Sequence, residues 1–563
     1  MNFNQNINKP KRELNNKAIK VGIIIDDGNL PILAKELIKE FKSDNFYEIK
    51  CIILQKKDKN YLKKTYIILK KNGLLFFLSK ITFKFIEIVE TFFLKFYEVK
   101  SNFTNENIKV SSIKKITVSP KKSPSGYKYT YRNEDIEKIK SCNLDLLIRA
   151  GSGILDGEIL TICRFGILSF HHGDNRVYRG GPPGFWEVFN RNASTGFIIQ
   201  KLSKVLDGGD VLYRGNIQTS FLYVLNKKRI YNKSIFFMRK ILISIGKNDA
   251  LPETEDPFLY LNKIYKTPLL HIQLIYIIKT LLYLSRKIIL RIIRKKWKWG
   301  IAYQFVDSWK NVSLNKSKII KNPPNTYLAD PFVISKNNQK IIFAENFDIR
   351  KNKGRISAFK LNKDNYESLG VVLEEKFHLS YPFLFEDESK LYMCPETRKN
   401  NDIRIYECIK FPNKWILSKV LIKNISAADS NIFFHNNRWW IMTNIDSSKT
   451  GDTSSELHIF YSKTLHSNNW ISHPKNPIIF DSRLARNGGM LKDKSNNIYR
   501  VFQVQGFDMY GKSFGIAKIN LISPDNYKET KIMDVSSDFL KNIYGSHTFS
   551  HNYDVLAFDF VKL

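Results

Sequence analysis

Five cysteines are scattered over 563 residues (Cys51, Cys142, Cys163, Cys394 and Cys408), and no two form a Cys-x-x-Cys pair. That excludes the usual zinc and dithiol redox patterns, and no metal is expected. An odd, sparse set suits a reducing compartment, so a cytoplasmic protein is expected. The stretch from Met1 to Lys20 is polar and charged and lacks the apolar core of a signal peptide. Long hydrophobic runs are missing as well. The most apolar stretches, Leu74 to Phe96 and Leu269 to Ile293, are interrupted by Lys, Arg, Glu or His, so neither reads as a membrane span. No Gly-x-Gly-x-x-Gly follows the first strand, which removes support for a dinucleotide site. Acidic residues are scarce, 53 against 90 Lys and Arg, for a net charge of +37. Such an excess points to an anionic partner. Lys, Asn and Ile nevertheless recur even in plain loops such as 335–340, so a compositional bias carries most of that charge.

The chain is long enough for two or three domains. Residues 1–17 read as a disordered tail. Val21-Gly-Ile-Ile-Ile-Asp-Asp27 reads as a buried strand running into a polar loop, followed by a helix over Leu30 to Phe41 and a strand from Tyr47 to Leu54. This βαβ opening predicts an α/β domain over 18–222 with a parallel sheet. Residues 61–100 form a Lys-rich helical insertion within it. Leu144 to Arg149 reads as a further strand, followed by Gly151-Ser-Gly153. Gly166 to Phe170 is another strand, ending at His171. In such sheets ligands gather at the carboxyl ends of the strands.

Residues 223–299 read as a basic helical linker. Its last part, 285–299, alternates Ile and Leu with Arg and Lys and ends in Trp297 and Trp299. That pattern suits either an anionic membrane surface or an apolar face packed on a neighbouring domain. After Trp299 short strands alternate with Asn, Asp, Gly and Pro turns. Five repeats follow, beginning with Leu328-Ala-Asp-Pro-Phe-Val333, Leu379-Ser-Tyr-Pro-Phe-Leu384, Ala428-Asp-Ser-Asn-Ile-Phe433, Asn487-Gly-Gly-Met-Leu491 and Gly545-Ser-His-Thr-Phe549. The spacing is that of propeller blades, so residues 300–563 are expected to form an all-β five-bladed propeller.

One segment carries chemistry in order. His171 is followed by Tyr178-Arg179-Gly180, Pro183, Trp186, Thr195-Gly196 and Asp207-Gly-Gly-Asp-Val211. This run resembles the formyltransferase family, whose signature is Asn-x-His, a Tyr-Arg-Gly turn, a Trp-bearing helix and an Asp-x-Gly loop. The resemblance covers roughly 140–215 well. It implies a Rossmann-like fold and transfer of a formyl group from 10-formyltetrahydrofolate to an amine; the fused propeller turns the expected acceptor towards an amino sugar or sugar nucleotide, in surface-glycan biosynthesis. It implies that His171 stabilises the oxyanion and shuttles a proton, with Asp207 as base and partner of the histidine. Arg149, Gly151 and Gly153 are the expected folate-binding residues, and His172, Asp174, Arg176 and Arg179 the expected substrate contacts. The family's Asn is Ser169 here, a shorter side chain with one donor in place of two. Losing an oxyanion donor costs about 100- to 1,000-fold in rate. Ser169 therefore opens a second expectation, a catalytically degenerate scaffold that carries a glycan-binding or glycan-processing propeller.

The repeats resemble the five-bladed propellers of carbohydrate-active enzymes and the N-terminal domain of glucosamine inositolphosphorylceramide transferases, through motifs such as Ala329-Asp-Pro-Phe332, Pro395-Glu396, Ala428-Asp429 and Tyr510-Gly511. Asp330 and Asp429 open two blades, and Glu345 and Glu396 end the strands that follow. Carboxylates sharing a pocket are what glycoside chemistry needs, and Arg486, Gln503 and His547 are candidates for sugar hydroxyls. No acid–base pair can be singled out among them. The expected partners are thus a small amino-sugar ligand and an anionic membrane touched peripherally, from its inner face, through 285–299. Nucleic acid is disfavoured, because nothing in the chain corresponds to a tRNA-binding domain.

Overall fold

A computed structural model describes residues 18–27, 32–41, 44–56, 61–97, 113–123, 128–204, 209–256, 263–292, 298–310 and 312–562. The expected tail, Asp207 and residues 293–297 of the basic stretch lie outside them. The described residues divide into two compact units. One falls within Met1–Pro183, Gly196–Gly215 and Lys227–Leu269, the other within Gly184–Thr195, Asn216–Asn226 and Leu270–Leu563. The units interleave where the sequence reading drew straight boundaries at 222 and 299. The cause is local to the second unit. Phe185 packs its ring 5.6 Å from Tyr223 and 5.2 Å from Tyr276. Asn226 Nδ2 donates to the Gly184 carbonyl and to Thr195 Oγ1, each at 2.9 Å.

The first unit is α/β. Seven strands, β1 (Ile19–Asp26), β2 (Tyr47–Gln55), β3 (Lys114–Val118), β4 (Leu146–Arg149), β5 (Ile167–His171), β6 (Ser194–Lys201) and β7 (Asp210–Gln218), form one sheet in the order β7-β6-β5-β4-β1-β2-β3. The first five are parallel, and β6 runs antiparallel to β5. β1 is apolar on both faces, as a strand covered on both sides must be. Because these strands run the same way, Asp26, Gln55, Arg149 and His171 all end theirs at one edge of the sheet. Helices α1 (Ile32–Glu40), α2 (Tyr61–Tyr97), α3 (Asn133–Lys140) and α5 (Tyr223–Asn248) accompany the sheet, while the short α4 (Phe185–Phe189) and α6 (Leu270–Ile292) belong to the second unit. α2 is the expected helical insertion, and it is broken at Gly73, whose φ is +79°.

The second unit is rich in β structure. Five antiparallel sheets follow one another. Their opening strands are Thr326–Lys336, Ser380–Asp387, Ala427–His435, Asn487–Lys492 and Phe549–Asn552. Each opening strand neighbours the next, and the fifth returns to the first. The fifth sheet takes strands from both ends of the segment, with Lys298–Phe305 paired antiparallel to Val555–Lys562. Three sheets share one turn. Asn337-Asn338, Glu388-Ser389 and Asn436-Asn437 each join two strands as a two-residue loop with both residues at positive φ. This is the hairpin geometry that matches the twist of paired strands.

In the first unit, Gly246 on α5 is pinned by contact. A Cβ there would stand 2.3 Å from the Phe46 carbonyl oxygen. Gly246→Ala should therefore lower stability by about 1–3 kcal/mol through overpacking, although alanine is intrinsically the better helix former. Thermal denaturation followed by circular dichroism checks the sign.

Candidate functional site

The residues singled out around His171 are held by their own surroundings. Ser169 and His171 lie on the same side of β5. Ser169 Oγ sits 3.4 Å from the Phe170 carbonyl, and His171 Nε2 sits 3.3 Å from the Tyr178 carbonyl. His172 is turned into the unit, stacked near Phe170 and Tyr231, with Nε2 2.9 Å from Ser234 Oγ. Burial, then the neighbouring His171 and Lys227, push its pKa down to about 3, so it stays neutral. Asp174 is clamped by Arg176 at 2.7 Å and Arg214 at 2.6 Å. Burial opposes its charge, but these two guanidinium groups outweigh it and hold the carboxyl below the usual range. Arg179 is partly buried on a two-residue strand paired with Ile264 and Tyr265. The Gly151–Gly153 loop folds back on β1 and β4. Ser152 donates through N and Oγ to Asp26 at 2.9 and 2.8 Å, and Arg149 Nη2 donates to the Ser152 carbonyl. A Cβ on Gly151 would stand 2.7 Å from Arg149 Nη1. The guanidinium is thus tucked beneath its own loop.

The second unit does bring its candidates together. Each of the first four opening strands carries a bulge, between Ala329 and Phe332, Ser380 and Phe383, Ala428 and Asn431, and Asn487 and Gly489. At the first three the extra residue takes a left-handed backbone, Asp330 at φ +50°, Tyr381 at +47° and Asp429 at +47°. An L-residue there costs about 1–2 kcal/mol, and strain of this kind gathers at functional sites. The aligned sequences Ala-Asp-Pro, Ser-Tyr-Pro, Ala-Asp-Ser, Asn-Gly-Gly and Ser-His-Thr place Asp330, Tyr381, Asp429, Gly488 and His547 at one repeat position.

These side chains are wired to one another. His547 Nε2 lies 3.1 Å from Asp330 Oδ1, and Nδ1 lies 2.8 Å from Asp559 Oδ2. Thr548 Oγ1 and the Tyr381 amide donate to Asp330 at 2.7 and 3.2 Å. Arg486 Nε donates to Asp429 Oδ2 at 2.7 Å, and Nη2 lies 3.6 Å from Glu396 Oε2. Gln503 Nε2 donates to the same Asp429 oxygen at 2.8 Å. His378 stands 3.5 Å from Glu345. Trp299 and Tyr510 pack on His547 at 4.1 and 5.1 Å, and Arg486 lies over the Tyr510 ring. Tyr510 is 40% exposed, and Glu396 and His378 are partly so, which marks the solvent side of the cluster.

Five carboxylates here face two cations, and the titration follows from that imbalance. Burial would depress His547, but Asp559 and Asp330 reverse this and lift its pKa to about 10. Burial would likewise raise Asp330, yet His547 more than offsets it and keeps the carboxyl low. Glu396 is raised to about 8 by burial and then by Asp429, against Arg486. Glu345 is raised well above its usual value by burial, Asp330 and Glu396. Asp429 is raised by burial in spite of Arg486. Asp330, His547 and Asp559 have the spacing of a cation site. Asp559 Oδ1, however, accepts the His547 and Thr548 amides at 2.8 and 3.0 Å, and Oδ2 accepts the Asp330 amide at 3.2 Å. The protonated His547 already supplies the positive charge, so the trio fits an ion pair better than a metal. Sequence reasoning missed Asp559, although a lone aspartate inside the apolar strand Val555–Lys562 is a readable signal. A cavity of about 1070 Å³ lies at the other ends of the same opening strands, lined in part by Phe332, Phe383, Phe433 and Met490. None of Asp330, Glu345, Glu396, Asp429 and Asp559 lines it.

The family model described as glucosamine inositolphosphorylceramide transferase 1, N-terminal, matches residues 311–557. The chain is 33% identical over 213 residues to glucosamine inositolphosphorylceramide transferase 1 of Arabidopsis thaliana, covering 37% of this chain and 28% of that protein. It is 23% identical over 211 residues to methionyl-tRNA formyltransferase of Clostridium beijerinckii, covering 37% of this chain and 65% of that protein. An exo-beta-1,3-galactanase structure from Clostridium thermocellum superposes with a TM-score of 0.31 at 11% identity, over 41% of this chain and 59% of that one. The chain spans 28% of the length of the Arabidopsis relative. These findings correct the enzyme class expected from the His171 motif. The more similar relatives bear the name of a glucosamine inositolphosphorylceramide transferase, and the likeness to formyltransferases in the N-terminal part is weak and partial.

A carboxyl group whose pKa is raised on folding favours the native state below its ordinary pKa. It loses that advantage as pH climbs to the folded value. For Glu396 the window runs from its ordinary 4.5 to about 8. Glu396→Gln keeps the neutral form at every pH. It should leave the melting temperature nearly unchanged at pH 5 and raise it at pH 9, by about 2–4 °C per kcal/mol recovered. Calorimetry at the two pH values reads the difference.

Proposed function

We propose that the five sheets form a five-bladed propeller whose acidic centre binds the amino-sugar head of a glycan, and that the first unit is a formyltransferase-like scaffold. The observation that carries this reading is the excess of carboxylates over cations, brought to one place by strained bulges. An ammonium group is what such a centre lacks. Bound beside Glu345 and Glu396, it would let both ionise, turning a burial penalty into charge-assisted hydrogen bonds. Tyr510 and Trp299 offer aromatic faces on the same side, suited to the apolar face of a sugar ring. The family matched over 311–557 carries glucosamine in its name, glucosamine inositolphosphorylceramide transferase 1, which supports the same ligand class.

A second reading, cleavage or transfer of a glycosidic bond, is favoured by one fact. Glu396 keeps a proton close to neutrality while Asp330 is held ionised, and acid and base roles need such a divergence. Release of reducing sugar from the bound glycan would establish it.

Isothermal titration with glucosamine-terminated and N-acetylglucosamine-terminated oligosaccharides tests the proposal. The free amine should bind at least about tenfold more tightly, a difference of about 1.4 kcal/mol. Glu345→Gln, a near-isosteric change, should abolish that preference while the fold survives. Equal binding of both sugars by both proteins would refute the reading.

A further inference from the structure

Two helices leave apolar stripes uncovered. On α2, Leu74, Leu78, Ile81, Phe85, Ile88 and Phe92 are exposed, with Leu75 reaching 70% and Phe85 66%. The opposite side of the same helix is buried through Ser79, Phe83, Ile86, Glu90 and Leu94. On α6, Leu274, Ile278, Leu281, Ile288 and Ile292 are exposed, with Leu282 at 65% and Ile292 at 72%. Successive helical residues turn by about 100°, which spreads each stripe over an arc of roughly 140°. A two-helix coiled coil needs a narrower seam. Exposed apolar patches of this extent on a soluble protein mark a contact surface.

Charge identifies the occupant. α6 contains no acidic residue over Leu270–Ile292. The acidic residues of α2, Glu87 and Glu90, both lie away from its stripe, and Glu87 is paired with Lys84 and Lys227. Lys80, Lys84 and Lys95 follow one border of the α2 stripe, and Lys279 and Arg286 follow a border of the α6 stripe. The whole chain carries +37. No helix among the described residues is long and apolar enough to cross a membrane. From these observations we infer that α2 and α6 are interfacial helices, each lying flat on an anionic lipid bilayer with its apolar arc among the acyl chains and its basic border at the headgroups. This differs from the expected contact through 285–299 in its position. The apolar arc of α6 begins at Leu274, about three turns before Ser285, and α2 supplies a second anchor in the other unit. The inference is independent of the sugar-binding reading.

Flotation of the full chain with phosphatidylcholine vesicles, with and without phosphatidylserine, tests it. The protein should float with the anionic vesicles, several-fold less with neutral ones, and less at high salt, where charges are screened. Phe85→Glu with Phe92→Glu, and separately Leu281→Glu with Leu282→Glu, should each cut binding at least about tenfold, because both remove buried apolar area and add like charge. These positions are exposed, so an unchanged melting temperature is the control for folding. Thr91→Gln, exposed on α2, removes no apolar area and adds no charge, so it should bind as the parent does. Failure to float, or flotation unaffected by both double variants, overturns the inference. So does a dimer in light scattering that the same variants convert to monomer, since the stripes would then be a protein interface.

Discussion

Arg486 stands 2.7 Å from Asp429 and 3.6 Å from Glu396, and His547 stands between Asp330 and Asp559. Those two cations make it possible to bring five carboxylates together where the opening strands meet. Breaking a buried pair by removing one partner costs about 3–5 kcal/mol, because a charge is left stranded. The opening strands meet at this cluster, so their mutual placement depends on the same compensation. A centre satisfied only by cations and shared protons also remains short of positive charge. That shortage is what the proposed amine-bearing ligand would fill.

The bulges explain why these acids point inward together. An unbroken strand would alternate sides and scatter the repeat position. An extra residue in each of the first three opening strands, held at left-handed φ, brings Asp330 and Asp429 into the cluster, and Tyr381 with them. Tyrosine is poorly suited to that conformation. It is kept there by its hydroxyl, which donates to Asn431 at 2.8 Å, and by its amide, which donates to Asp330.

Much of the β-rich unit was legible because its period lies in the sequence. The Asp-Pro, Tyr-Pro and Asp-Ser positions recur at the scale of one sheet, and they mark the bulges. What did not show was pairwise wiring. Arg486 finds Asp429 across a loop closure of more than fifty residues, and Asp559 reaches the centre from a strand whose neighbours are all apolar. The α/β unit shows the opposite outcome. Its parallel strands and the polar ends of those strands were readable from apolar runs, yet the residues in those loops could not be assigned from a motif alone. Arg149 ends the predicted strand and turns inward, because Gly151 leaves room for the guanidinium and Asp26 draws it. His172 follows His171 directly, but alternation sends the two rings to different environments, one beside a carbonyl and one into an aromatic pocket.

The pairing of Lys298–Phe305 with Val555–Lys562 has a consequence for how the molecule forms. The two strands are separated in sequence by the other four sheets, so this contact is among the most distant in the chain and among the slowest to be made. Asp559 lies on the second of these strands, where it meets His547 and Asp330. In the unfolded chain these acids are solvated and ionised near neutral pH, and His547 is largely neutral. In the folded unit His547 and Glu396 hold protons they would otherwise have lost. Folding of the β-rich unit is therefore a proton-uptake reaction, and near neutrality its equilibrium is governed by pH as well as by strand pairing.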